Sequence, residues 1–185
     1  MFQHWQIKIL LIILLSFIVV CHPAQKDYEA LAIAITTEAK SNLQQKLMAK
    51  MKEGGTALAL PFCKENALGF TNTFGNEHSV RLRRLTNKPR NELNWLTKEE
   101  TDIFLEIQKE KSKEGVYPNR MISSNNLVTV YVPIVIMGQC LQCHGKTSDI
   151  SKETSAILAK HYPNDKAIGY EVGELRGLFS VEFLK

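Results

Sequence analysis

After residue 20 the sequence has no apolar run long enough to enter a membrane, which excludes a polytopic membrane protein. It has no Lys/Arg-rich tail and no ladder of aromatic and basic residues, so nothing in it points to nucleic-acid binding. Internal repeats and low-complexity stretches are also missing, and strands do not alternate with helices often enough for a doubly wound sheet. What is present is ordinary globular material: 44% hydrophobic and 23% charged residues over 185 positions, the length of one domain. The net charge is +4, and part of the excess sits in one cluster, Arg81, Arg83, Arg84 and Arg90.

The N-terminus reads as an address. Lys8 precedes an uninterrupted apolar or small run, Ile9 to Val20, and a polar exit at Cys21-His22-Pro23-Ala24-Gln25. This is the layout of a secretory signal. At about 1.5 Å per residue the run covers about 18 Å, short of the roughly 30 Å of a bilayer core, so cleavage is favoured over a retained anchor. A branched Val20 just before Cys21 argues against a lipoprotein site. The chain is therefore divided into residues 1–25, a signal or anchor, and residues 26–185, one domain. A periplasmic or otherwise exported location follows, with membrane contact only through residues 1–25. Removing those residues takes away Lys8 alone among the charged groups, so the charge falls from +4 to +3. Cys63, Cys140 and Cys143 remain, an odd set for an exported protein.

Residues 26–52 read as a long helix, with Ala30, Leu31, Ala34 and Ile35 inward and Leu43, Leu47, Met48 and Met51 continuing an apolar stripe into the core. Gly54-Gly55 supplies a stop. A short helical segment carries Cys63 after Pro61, residues 71–77 read as turns, and residues 84–94 read as an ordered loop. Thr97 and Glu100 have the spacing of a capping box, opening a helix to about Lys113 with Ile103, Phe104 and Ile107 inward. Residues 126–137 are rich in β-branched residues, with Pro133 a break or edge position, residues 151–161 form another helix, and residues 178–184 a closing strand. The sum is an α+β fold with a small antiparallel sheet, a long N-terminal helix and flanking helices.

The chemistry is carried by Cys140-Leu141-Gln142-Cys143-His144, the c-type haem attachment pattern. Two thiols form thioethers with the porphyrin's vinyl groups, and an imidazole directly after the second reaches the iron. One pattern predicts one covalent haem. Three rivals share these residues: a thioredoxin-like dithiol, a zinc site of Cys63, Cys140, Cys143 and His144, and a plain Cys140–Cys143 disulfide. The dithiol lacks a surrounding βαβ unit, and adjacent Cys143 and His144 would struggle to converge on one zinc ion. The opposite face of the iron is open among Cys63, His78, His161, Met121 and Met137.

At this point the chain resembles the single-haem, PAS-like bacterial c-haem domains that occur alone or as sensory inputs to histidine kinases and diguanylate cyclases. The resemblance runs through Pro61-Phe62-Cys63-Lys64-Glu65-Asn66-Ala67, the arginine loop to Asn94, Pro133-Ile134 and the attachment pattern. It continues through Tyr162-Pro163-Asn164-Asp165-Lys166-Ala167-Ile168-Gly169-Tyr170 and Gly173-Glu174-Leu175-Arg176-Gly177 to Ser180-Val181. It implies a PAS-like domain whose iron is held by His144 and Cys63. A thiolate ligand favours the ferric state and a low potential, and with both axial positions filled no enzyme activity is expected. Reduction weakens the iron–thiolate bond, so release of Cys63 would admit carbon monoxide or nitric oxide. Lys64 and the arginines would favour the thiolate. Arg81, Arg83, Arg84 and Arg90 suit bidentate pairing with haem propionates, or else staple their loop. The expectation is thus an exported redox or diatomic-gas sensor. The alternatives are an electron-transfer cytochrome with a redox partner protein, and a haem-free thiol oxidoreductase. No kinase or cyclase segment appears before Lys185, so a separate partner would carry the signal.

Overall fold

Asp27 opens the first helix of the computed structural model, which describes residues 27–185; the expected signal or anchor at residues 1–25 lies outside the described residues. Its carboxylate accepts from the Ala30 amide at 3.0 Å, a side-chain N-cap. Helix α1 (Tyr28–Glu77) then bends at Gly54 and Gly55, whose φ/ψ of −166/31 and 60/−153 leave the helical region. The positive φ of Gly55 is a conformation that glycine adopts without a Cβ penalty. The glycine pair is therefore a corner between two helical arms.

Two expectations for α1 are corrected. Residues 71–77 are helix, not turns, because Thr71, Phe74 and Gly75 bury against the sheet, and that packing overrides their weak helix preference. In the first arm Ala32, Ile35 and Thr36 are the buried residues, whereas Ala30, Leu31 and Ala34 face outward. Several alanines around the helix leave the apolar period with little contrast, so the face is ambiguous from sequence.

Four strands form one antiparallel sheet in the order β1-β4-β3-β2: β1 (Arg81–Leu85), β2 (Arg120–Ser123), β3 (Leu127–Val135) and β4 (Leu175–Leu184). This is the small antiparallel sheet of the α+β expectation. Arg84 and Leu85 of β1 fall within the expected loop, and neither the rest of β1 nor β2 was anticipated. Pro133 does not break β3; it sits opposite Leu178, beyond the point where β2 ends against Tyr131, so its missing N–H leaves no ladder bond unmade.

Period-two alternation sorts the sheet's faces. Leu82, Val128, Val130, Phe179, Val181 and Phe183 bury against Ala32, Ile35 and Phe74 of α1. Leu85, Tyr131, Leu175 and Leu178 bury on the other face against Phe104 and Ile107 of α2 (Lys98–Lys109). That helix ends four residues sooner than expected. At its start Thr97 accepts from the Glu100 amide at 3.2 Å while Glu100 accepts from the Thr97 amide at 2.9 Å. Thr97→Ala is expected to cost about 1 kcal/mol. In urea it should appear as a lower midpoint with an unchanged slope.

Candidate functional site

The attachment sequence folds as a 3-10 turn (Gly138–Cys140) running into a single helical turn, α3 (Leu141–His144). Four hydrogen bonds bolt that turn to the segment that follows α4 (Lys152–His161) and to the arginine loop. The His144 carbonyl accepts from Tyr170 N at 3.0 Å, and the Gly145 carbonyl accepts from Gly169 N at 2.8 Å. The Cys143 carbonyl accepts from Arg90 Nη2 at 2.5 Å, and His144 Nδ1 lies 2.7 Å from the Ala167 carbonyl. An acceptor at that distance requires Nδ1 to carry the proton, which leaves Nε2 with its lone pair free. Burial, aided by Arg90 and Arg176, holds the imidazole well below its usual pKa, so it stays neutral.

Cys140, Cys143, His144, Arg90 and Arg176 line a cleft of about 320 Å³ between the two arms of α1, the ends of β1, β3 and β4, and residues 136–144. Cys63 reaches the same cleft from the second arm, on the helical stripe that buries Leu60, Ala67 and Thr71. Tyr162 pins this stretch from α4, its hydroxyl donating to the Leu60 carbonyl at 3.4 Å. The phenol is pushed up to about 12, chiefly by burial and then by nearby Cys63. Cys63, Cys140 and Cys143 are all free thiols. Burial raises Cys63 and Cys143 above the usual thiol range, and Arg84 beside Cys63 and Arg90 beside Cys143 oppose that without overcoming it. Arg84 and Arg90 thus favour the Cys63 thiolate as expected, against the larger effect of burial, whereas Lys64 does not take part: it is exposed, with its ammonium 6.0 Å from the Tyr162 ring.

Two of the rival readings, the disulfide and the zinc site, find no geometry here. Cys140 and Cys143 are not bonded to each other, and no group of three or more His, Cys, Asp or Glu side chains among the described residues converges on a metal-sized point. Of the other candidate ligands, His78 stacks on Phe74 with Nδ1 3.0 Å from the Phe74 carbonyl, and Met121 is exposed on β2. His161 ends α4 and does not line the cleft, whereas Met137 does.

The arginines divide. Arg81 and Arg83 alternate onto the far face of β1, where Arg81 pairs with Glu182 at 3.4 Å and Arg83 pairs with Glu100 and with Glu182. Neither lines the cleft, so their expected contact with propionates is withdrawn; the strand period turns them away. Arg84 and Arg90 do line it. Arg90, however, is engaged: it binds Asp165 through Nε at 3.0 Å and Nη2 at 2.9 Å while also holding the Cys143 carbonyl. Arg84 is freer. Its Nη2 donates to the Ala67 carbonyl at 3.1 Å, and its Nε is buried without a protein partner.

Sequence reasoning missed Arg176 and the methionines. Ile134 pairs with Gly177 and Val135 with Leu175, so Arg176 is an extra residue in β4, and such a bulge re-aims a side chain. It lines the cleft while donating to Thr86 Oγ1 at 2.9 Å and the Lys88 carbonyl at 3.2 Å. Its charge at the start of an apolar strand, next to Gly177, was the available signal. Met48 and Met51, expected in the core, also line the cleft, with Met48 partly exposed.

The fold and the site together define an α+β domain built around one cleft that gathers three thiols, a neutral imidazole and three guanidinium groups. The chain belongs to the Tll0287-like family, whose model matches residues 22–183. The crystal structure of the cyanobacterial heme-protein Tll0287 has the same fold: the TM-score is 0.60 at 19% identity, over 86% of this chain and 98% of that one. No curated protein matches the chain.

Proposed function

We propose that the cleft holds one haem, attached through Cys140 and Cys143, with His144 and Cys63 as its axial ligands, in an exported protein that senses redox state or a diatomic gas. The observation that carries this reading is the arrival of Cys63, from a distant helix, in the cleft that the attachment turn lines. The residues fit the group on three further counts. The paired thiols are free and one helical turn apart; Ala167 fixes the imidazole tautomer that leaves Nε2 for a metal; and Arg176 brings a guanidinium to the wall. The printed description of the structural neighbour as a heme-protein points the same way.

When bound, the haem would supply an iron centre of low potential that takes up carbon monoxide or nitric oxide once its thiolate side is released. Everything else is the work of the chain. The Ala167 carbonyl orients His144 and raises its basicity. Arg90 positions the Cys143–His144 peptide, which leaves Arg176 and Lys40, both on the lining, as the cations to hand for propionates. Leu43, Leu47, Ile134 and Met137 give the cleft apolar walls suited to the porphyrin face. With both axial positions taken by protein, the reading is of binding and signalling, not catalysis.

Mass spectrometry and absorption spectra of the protein made in a host competent for haem attachment test it. One added haem mass and a Soret shift when carbon monoxide meets the reduced form are expected. A colourless product of unmodified mass would favour the thiol oxidoreductase. A haem spectrum unmoved by carbon monoxide would favour a plain electron carrier.

A further inference from the structure

A second cavity, of about 370 Å³, shares Leu43, Arg84 and Phe179 with the cleft described above. We propose that it binds a small organic carboxylate with an apolar body, and that Arg84, common to both cavities, makes the first site responsive to its occupancy. The coupling rests on the haem reading; the binding does not.

The walls set the ligand's character. Phe70, Phe74 and Phe179, with Leu43 and Ala39, present apolar surface sufficient for a short chain or ring. Two cations face it: Lys46 from the first arm of α1 and Arg84 from β1. Lys46 has no carboxylate partner; its ammonium rests 4.8 Å from the Phe70 ring, which keeps it at the wall. Arg84 has a buried Nε with no protein acceptor, a donor left over beside the one its Nη2 gives to the Ala67 carbonyl. Glu77 is the one carboxylate on the lining, and it is exposed. The lining thus carries a net charge of +1, two cations against one anion, with one cation desolvated. A neutral apolar ligand would leave Arg84 unsatisfied, and a cationic one would meet two like charges. A carboxylate answers both, because it can accept from a guanidinium while its body covers the phenylalanines.

Arg84 carries the consequence across. It lies beside Cys63, so a carboxylate that neutralises it removes positive potential from the neighbouring site. Positive potential favours the more negative, reduced state of a redox centre, so occupancy should lower the reduction potential.

Titration calorimetry on the full-length protein with hexanoate, with hexylammonium as the mismatched probe, tests the binding. Saturable hexanoate binding is expected, weakened roughly tenfold or more by Lys46→Glu and tightened by Glu77→Gln. Both substitutions are at exposed positions, so folding is not at stake. The site is overturned if hexanoate shows no binding up to about 10 mM. It is equally overturned if hexylammonium binds as well, or if Lys46→Glu changes nothing. In the haem-loaded protein, saturating hexanoate should lower the reduction potential of the wild type but not of Lys46→Glu. Binding with an unmoved potential overturns the coupling. Absence of covalent haem would overturn the first site's reading and leave the calorimetry intact.

Discussion

Replacing Cys63 with alanine is expected to leave the haem covalently attached while converting the ferric spectrum to that of five-coordinate or water-ligated iron. The two properties separate because attachment and ligation come from different parts of the chain. Cys140 and Cys143 sit on the stretch from Gly138 to His144, which Tyr170, Gly169 and Arg90 hold in place. Cys63 is half-buried on that arm, so its loss should cost the fold only about 1 kcal/mol, the lower range for trimming a partly buried side chain. The electronic effect is much larger. Axial ligands move haem potentials over roughly 0.8 V, and losing a thiolate should raise this one by on the order of 100 mV. Spectroelectrochemistry reads both changes in one sample. A wild-type ferric spectrum from the alanine variant would remove Cys63 from the metal and return the question to Met137, Met48 and Met51, the sulfur donors that also line the cleft. The same measurement on Met137→Leu is the natural companion, and there no change is expected.

Local signals were legible in the sequence, and long-range ones were not. The capping box of Thr97 and Glu100 and the turn of Cys140 to His144 each draw their residues from a short stretch, so spacing alone reveals them. β1 failed for the opposite reason. Its Arg-Leu-Arg-Arg-Leu pattern looks like a solvated loop until Glu100 and Glu182 arrive from elsewhere to pair its outer face. The same alternation decides which arginines reach the cleft, and no composition argument separates Arg83 from Arg84. Arg176 depends on a bulge, a mismatch between two strands that neither strand's sequence announces alone. Cys63 stood among five candidates by residue type. Only the family resemblance chose it in sequence, and only the fold shows that it and Met137 are the two of those five that line the cleft.

The second large effect is expected at Arg90, where fold and site depend on one side chain. Arg90 and Asp165 are about nine-tenths buried, with side-chain exposures of 11% and 10%, and the arginine also supplies a donor to the Cys143 carbonyl. Arg90→Ala strips the carboxylate of its countercharge in a desolvated place, a loss of about 3–5 kcal/mol. Asp165 in turn accepts from the Ala167 amide at 2.8 Å, and the Ala167 carbonyl is the group that orients His144. Damage at Arg90 therefore has a path to the imidazole through Asp165 and Ala167, and a shorter one, because Arg90 Nη2 also donates to the Ala167 carbonyl at 3.4 Å. Urea unfolding should show the stability loss, and the fraction of chains carrying haem should fall with it. Two further variants separate charge from position. Asp165→Asn in the Arg90→Ala background removes the orphaned anion, so it should recover much of the stability. It should recover less of the haem loading, because the Cys143 carbonyl still lacks its donor. Arg90→Lys keeps the charge but loses the planar fork that contacts Asp165 and Cys143 together, so it should fall between the two. If stability and loading recover in parallel across this set, Arg90 acts only through the fold; if loading lags, Arg90 positions the attachment turn itself.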